Sequence, residues 1–263
     1  MRRLATALLL FSGACSVAAP ALASAQATPT ATLTSEQKLA LFTNQGIARV
    51  RGGWILSANN TLARVDDKLR PKLVNRLAIP TAWRVKGYGH IGDIDVVGKI
   101  LYAPFEEPDY TRGTQATARY DAKTLRFIDA VELTQHENSF VTVDPATMIA
   151  YSMDNFGGDA LLRYDVRAGW KPLAPLVMSH FVDKVQGADV AAGAVWLSTT
   201  DATNGLYRVD LRTGQVDDLG SAGHIGGEGE GIDATKLPSG RLHTLTIDVA
   251  QAPIWLGHFA VSG

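Results

Sequence analysis

Cysteine is nearly missing from this 263-residue chain: Cys15 is the only one, and it lies in a segment that reads as a leader. The remainder has no thiol for a disulfide, a cysteine metal site, a nucleophile or an iron–sulfur cluster. An excess of charge of either sign is also lacking. Lys and Arg number 25 against 26 for Asp and Glu, so nothing points to nucleic acid or an anionic membrane surface. After the leader no stretch approaches the roughly 18 apolar residues of a transmembrane helix, so no membrane span is expected. A GxSxG elbow, an HExxH pair, a P-loop and a GxGxxG turn opening a helix are all absent. What is plentiful is apolar: 46% of residues are hydrophobic and 19% charged, enough to bury a core and to exclude global disorder.

Residues 1–25 read as a secretory signal peptide. Arg2 and Arg3 form the basic end, Leu4 to Phe11 form an apolar run too short to span a bilayer, and Ala23-Ser24-Ala25 is an A-x-A cleavage site. Cleavage there leaves Gln26 as the first residue. The alternatives are a retained anchor from Leu4 to Ala19 and a lipoprotein at Ser12-Gly13-Ala14-Cys15, where Ser12 stands in place of a branched apolar residue. The alanine-rich leader has bacterial character and implies a periplasmic or secreted protein.

The rest is repetitive. Leu62-Ala63-Arg64-Val65-Asp66 is echoed by Ala118-Arg119-Tyr120-Asp121, Leu162-Arg163-Tyr164-Asp165 and Tyr207-Arg208-Val209-Asp210. Each aspartate ends an alternating run, the period of a half-buried strand, and Asp121 and Asp210 open D-x-x-T turns. Upstream of each lies a second strand that ends in a small residue: Ser57, Ala103, Ser152 and Ser198, with Arg241-Leu242-His243-Thr244-Leu245 a degenerate fifth copy. A third segment opens each unit: Gln45-Gly46-Ile47, Gly92-Asp93-Ile94-Asp95, Asn138-Ser139-Phe140, Gln186-Gly187-Ala188-Asp189 and Glu230-Gly231-Ile232-Asp233. Five units of roughly 44 residues predict an all-β, five-bladed β-propeller over residues 44–263. A sixth blade, hidden in Asp67 to Tyr88 or in the N-terminal arm, is the alternative, as is a sandwich or open barrel with accidental periodicity. The arm, residues 26–43, carries Thr34-Ser35-Glu36-Gln37, which fits a capping box, so it reads as a short helix or as a strand on the ring. As a strand it would supply the outer edge of the last blade and close the ring.

Propellers place ligands where the chain enters the innermost strands. His90, His136, His180 and His224 precede four of the five openings, at intervals of 46, 44 and 44 residues. Carboxylates and amides follow them: Asp93 and Asp95, Glu137 and Asn138, Gln186 and Asp189, Glu228 and Glu230. Histidines suit zinc, whereas carboxylate and amide oxygens suit calcium, and a histidine–carboxylate pair suits proton transfer. The bland reading is that each histidine caps the same turn in every repeat. Elsewhere, Asp154 to Asp159 reads as a surface turn and Glu106-Glu107-Pro108-Asp109 as a solvated blade loop. Tyr88, Phe105, Phe156 and Phe181 are candidates to line the mouth, and Trp54, Trp196 and Trp255 to fill the core.

The strand and turn motifs Arg119-Tyr120-Asp121-Ala122-Lys123-Thr124, Val143-Asp144-Pro145-Ala146-Thr147 and Arg208-Val209-Asp210-Leu211-Arg212-Thr213-Gly214 resemble the secreted propellers of the broad regucalcin–gluconolactonase, paraoxonase and quinoprotein-like grouping. In its lactonase members a divalent ion, often calcium, is held over the channel by Glu, Asn and Asp. The resemblance implies Glu230, Asn138 and Asp189 as the equivalents here. Phe42-Thr43-Asn44-Gln45-Gly46-Ile47 and Gly229-Glu230-Gly231 also resemble the five-bladed plant-type glutaminyl cyclases.

Three functions follow as expectations. One is a metal-supported hydrolase or lactonase acting on a small molecule. Its divalent metal, calcium rather than zinc, would be held by Asp93, Asn138, Asp189 and Glu230, with His90, His136, His224 and Glu137 for acid–base work. The second is a non-enzymatic platform for a glycan, peptide or partner. The third is a metal-free lyase or cyclase using histidine.

Overall fold

A computed structural model describes residues 29–39, 43–248 and 253–262. The leader, with Cys15, lies outside these residues. The described residues form 21 strands in five small antiparallel sheets, with one four-residue helix and two short 3-10 turns. Among the described residues no helix is long and apolar enough to cross a membrane.

β1 (Thr30–Leu39) comes first and is used last. Blade 1 is β2 (Ile47–Val50), β3 (Gly53–Ala58), β4 (Thr61–Asp66) and β5 (Pro71–Asn75). Blade 2 has a split inner strand, β6 (His90–Ile91) and β7 (Asp95–Val97), followed by β8 (Ile100–Glu106), β9 (Gln115–Asp121) and β10 (Phe127–Leu133). Blade 3 runs β11 (Thr142–Val143), β12 (Ile149–Ser152), β13 (Gly158–Asp165) and β14 (Lys171–Val182). Blade 4 runs β15 (Val185–Ala191), β16 (Ala194–Thr199), β17 (Gly205–Asp210) and β18 (Val216–Ser221). Blade 5 is β19 (Glu228–Asp233), β20 (Arg241–Ile247) and β21 (Ile254–Ser262), completed on its outer edge by β1.

The opening and second segments thus mark the first and second strands of every blade, and the aspartate-ended segment marks the third strand of blades 1 to 4. The segment proposed for a sixth blade instead holds β5, the outer strand of blade 1, and a helical turn at Thr81–Arg84. Its Trp83 packs on Tyr88 and Phe105. The arm is a strand: β1 pairs antiparallel with β21 from Thr30↔Ser262 to Leu39↔Ile254. The capping-box residues serve that pairing, Thr34 Oγ1 donating to the His258 carbonyl at 2.8 Å. A helix there would leave the edge of β21 unpaired.

The apolar residues do not make one central core. They form a buried cluster at each junction between blades, as flat sheets packed face to face require. Ile55, Leu62, Tyr88, Phe105 and Tyr120 fill the junction of blades 1 and 2, and Leu39, Ile47, Trp54, Leu245 and Leu256 that of blades 5 and 1. The turn aspartates cap as their spacing indicates: Asp121 Oδ1 accepts from Thr124 N at 2.7 Å, and Asp210 Oδ1 from Thr213 N at 2.9 Å.

The channel is closed at its centre by one side chain. Asp93 Oδ1 accepts from the amides of Ile47 and Ile94, and Oδ2 from those of Ala188 and Ile232. Its own amide donates to the Ser139 carbonyl at 2.7 Å. One residue therefore bonds to the inner segments of all five blades. The glycines of the opening motif make this convergence fit: a Cβ on Gly231 would lie 2.6 Å from Asp93 Oδ1 and 2.8 Å from Gly46 Cα. The small residues of the second strands tie neighbouring blades together, Ser57 Oγ donating to the Gly92 carbonyl and Ser198 Oγ to that of Glu230. Further along the channel, Asp95 accepts from Val143 N, Asp189 from Ala234 N and Asp233 from Arg49 N. Thr142 completes this girdle by accepting from Val190 N.

Candidate active site at the channel mouth

A cavity of about 270 Å³ opens where the inner strands begin. Every blade contributes to its wall. Gln45 comes from blade 1, His90 and Glu106 from blade 2, Ser139 from blade 3, Gln186 and Thr200 from blade 4, and Glu228 and Glu230 from blade 5. Tyr110 and Phe156 stand at the rim as an edge-to-face pair with centroids 5.8 Å apart. Among the described residues no Lys or Arg lines it.

Of the four recurring histidines only His90 lines this cavity. Its Nε2 lies 2.7 Å from Gln45 Oε1, so Nε2 carries the proton and Nδ1 is left as the base. Nδ1 is 3.6 Å from Glu106 Oε2, wider than a hydrogen bond and of the kind that tightens when a ligand binds. Burial holds the imidazole below its ordinary value, in the neutral form. His136 is half exposed, and its ring and amide are both held by Asp154, at 3.1 and 2.7 Å. His180 is exposed on β14. His224 bonds Glu36 of β1 at 2.6 Å and stacks on Trp255, so it fastens the ring closure. Three of the recurring histidines thus meet different partners, Gln45, Asp154 and Glu36, and the fourth lies exposed within a strand.

The glutamates dominate the electrostatics. Glu106 is 4% exposed, and burial pushes its carboxyl up to about 7. Sequence reasoning placed Glu106 and Glu107 in a solvated loop. β8 in fact continues through Pro104 to Glu106, and Glu107 is bonded by Gln115 and paired with Arg112. Glu137 sits beside the cavity with Ser139 Oγ donating to it at 3.0 Å; burial and then the Glu106 charge raise it to about 8. Glu230 is driven well above the ordinary carboxylate range by burial and by its hydrogen-bonded neighbour Glu228. Tyr110, missed in the sequence, is pushed up to about 12 by burial and by Glu106, Glu137 and Glu107.

These shifts make stability depend on pH with a definite sign. Glu106 and Glu137 hold protons in the folded state at pH values where the unfolded chain has lost them, so the folded state binds more protons between about 4.5 and 8. Their contribution is complete below the unfolded value and is lost as pH rises. The melting temperature should fall between pH 5 and 8.5. Glu137→Gln should flatten that fall and gain roughly 1–3 kcal/mol at pH 8.5. Thermal melts across pH check this; parallel curves for the two proteins would refute it.

The four expected metal ligands do not converge. Asp93 has both oxygens filled by four amides. Asn138 Nδ2 donates to the Ala116 carbonyl and its Oδ1 accepts from Ser152 Oγ. Asp189 lies in the girdle, and Glu230 alone lines the cavity. Among the described residues no three His, Cys, Asp or Glu side chains are arranged to hold a metal ion. The residues present therefore do not fit the ion that the resemblance implies.

No known family matches the chain, and no curated protein matches it. Solved structures do. A luciferin-regenerating enzyme superposes with a TM-score of 0.52 at 10% identity, over 80% of this chain and 74% of that one. Hydrazine synthase of Kuenenia stuttgartiensis gives a TM-score of 0.49 at 12% identity, over 80% of this chain and 57% of that one. The first likeness shows the propeller fold and no more.

Proposed function

We propose that the mouth binds a small amine-bearing molecule and that His90 and Glu106 move a proton on it. The observation that carries this is the gathering of Glu106, Glu228, Glu230 and His90 around one small cavity with no lining Lys or Arg. Burial holds the Glu106 and Glu230 carboxyls above the ordinary range, and an ammonium group in the cavity would favour their ionised forms. The Tyr110–Phe156 pair at the rim offers ring faces to the same cation. His90 Nδ1 is the base and a protonated Glu106 the acid, a pairing that serves cyclisation, elimination or hydrolysis without a metal. The leader read at residues 1–25 would place this chemistry outside the cytoplasm.

Isothermal titration with small primary amines and their isosteric neutral alcohols, at pH 6 and 8.5, tests the reading. Amines should bind and alcohols should not. Affinity should rise with pH as Glu106 and Glu230 lose their protons, and Glu230→Gln should weaken binding by about 10-fold or more. Equal binding of alcohols and amines would sink the proposal. A calcium arm is run alongside: stoichiometric calcium uptake with no amine binding would replace it with the metal-supported hydrolase.

A further inference from the structure

On the face opposite the mouth, where blade 5 meets blade 1, lies a cleft with the reverse electrostatic character. A cavity of about 470 Å³ is lined by Gln37, Arg49, Trp54, Asp67, Lys236, Ser239, Arg241, His243 and His258. It continues into a second of about 550 Å³ that shares Gln37, Ser239, Arg241, His243 and His258 and reaches Phe259 on β21. Three fixed cations line it against one carboxylate, Asp67, which pairs with Arg49. Arg241 and Lys236 have no ion-pair partner among the described residues.

The wall is ordered by a row of rings. The Arg49 guanidinium lies 4.4 Å over Trp54, Trp54 meets His243 edge-on at 4.8 Å, and His243 meets His258 edge-on at 5.2 Å. His243 is 5% exposed, and its Nδ1 has no hydrogen-bond partner, Asp233 Oδ1 standing off at 3.5 Å. Asp233 is itself occupied by the Arg49 amide and the Thr235 hydroxyl. Two imidazoles, two guanidinium groups, an ammonium, the Ser239 hydroxyl and the Gln37 amide thus converge on one cavity. All are donors, and the charge surplus is positive.

We propose that this cleft is a second binding site, for a small phosphate-bearing ligand, with Arg241 and Lys236 as its charge partners and His258 within the ligand's field. Guanidinium and ammonium groups together suit a dianionic oxyanion. The site straddles the seam where β1 closes the ring, because Gln37 belongs to β1, His258 to β21 and Arg49 to blade 1. A bound phosphate would bridge both sides of that seam and stabilise the fold by mass action. His258 gives the reporter. Burial lowers its affinity for a proton, and His243, Arg241 and Arg49 lower it further. The groups facing it are cationic or imidazole on every side except Asp67 and the engaged Asp233. An oxyanion among them would reverse that field.

The experiment is a phosphate titration followed by imidazole NMR and by thermal melting, with chloride at matched ionic strength as control. In the wild-type protein His258 should titrate about half a pH unit or more higher in saturating phosphate. The melting temperature should rise with phosphate and not with chloride. In Arg241→Gln/Lys236→Gln, two exposed positions whose loss leaves the core intact, the apparent affinity should fall about 10-fold or more. If phosphate moves neither His258 nor the melting temperature, the proposal fails. It also fails if both proteins respond equally, which marks a general salt effect.

Discussion

Asp93→Asn should cost about 3–5 kcal/mol of stability, a large share of the roughly 5–15 kcal/mol that holds a domain of this kind together. The carboxylate takes two amides on each oxygen, from Ile47 and Ile94 on one side and from Ala188 and Ile232 on the other. A proton on either oxygen would displace one of these donors. The structure therefore requires the ionised form, although burial opposes it. Asparagine keeps the shape and turns one oxygen into a donor, so two buried amide N–H groups face an NH2. Each buried donor left without an acceptor costs about 1–3 kcal/mol. The measurement is a urea titration of wild type and variant at pH 7. A loss below about 1 kcal/mol would show that the ring does not depend on this side chain. Asp93→Glu separates charge from reach, because it keeps the anion and adds a methylene where Gly231 and Gly187 leave no room. It should be destabilising as well.

The same residue shows what periodicity could and could not reveal. The aspartates, glycines and serines of the repeat were legible as a pattern, and the pattern was sufficient for five blades. Their work was not legible, because it lies between blades: Ser57 bonds to Gly92 of the next blade, and Asp95 to Val143 of the one after its own. Asp93, expected as a ligand of a metal, is the acceptor for backbone from every side of the channel. The histidines were misleading for a related reason. An even spacing in sequence does not give an even role: His90, His136 and His224 meet Gln45, Asp154 and Glu36, while His180 stays exposed on β14. Glu106 was hidden because the second strand of its blade was read as ending at Ala103, with a solvated loop after it, whereas β8 runs on to Glu106. Pro104 is tolerated inside β8, where it pairs with Thr117 of β9. The cationic cleft had no sequence signature at all. It joins Gln37 and Arg49 to Lys236, Arg241 and His258, and only ring closure brings these together.

That closure carries the second large prediction. A chain beginning at Ala40 lacks β1 and should either fail to fold or melt at least about 15 °C below a chain beginning at Gln26. β1 pairs with nearly the whole of β21, a contact between residues more than 200 positions apart, and among the described residues it alone covers that edge. Its removal exposes a row of unpaired backbone groups on a strand rich in apolar residues, Ile254, Leu256 and Phe259 among them, which is a template for aggregation. It also removes Leu39, 4% exposed, from the cluster that joins blades 5 and 1; that side chain alone is worth roughly 2–4 kcal/mol. The His224–Glu36 bond goes with it, freeing the loop that leads into β19 and so into Glu228 and Glu230 at the mouth. Stability and mouth geometry should therefore fail together. A synthetic peptide covering residues 29–42, added in trans, should restore both, since the edge of β21 offers it the same register. If the shortened chain melts with the longer one, the ring is held by its blade junctions alone and the strap is dispensable. If the peptide restores the melt but not amine binding at the mouth, the path from β1 through His224 to Glu230 is absent. The cavity would then be ordered by Asp93 and its five inner segments without help from the closure.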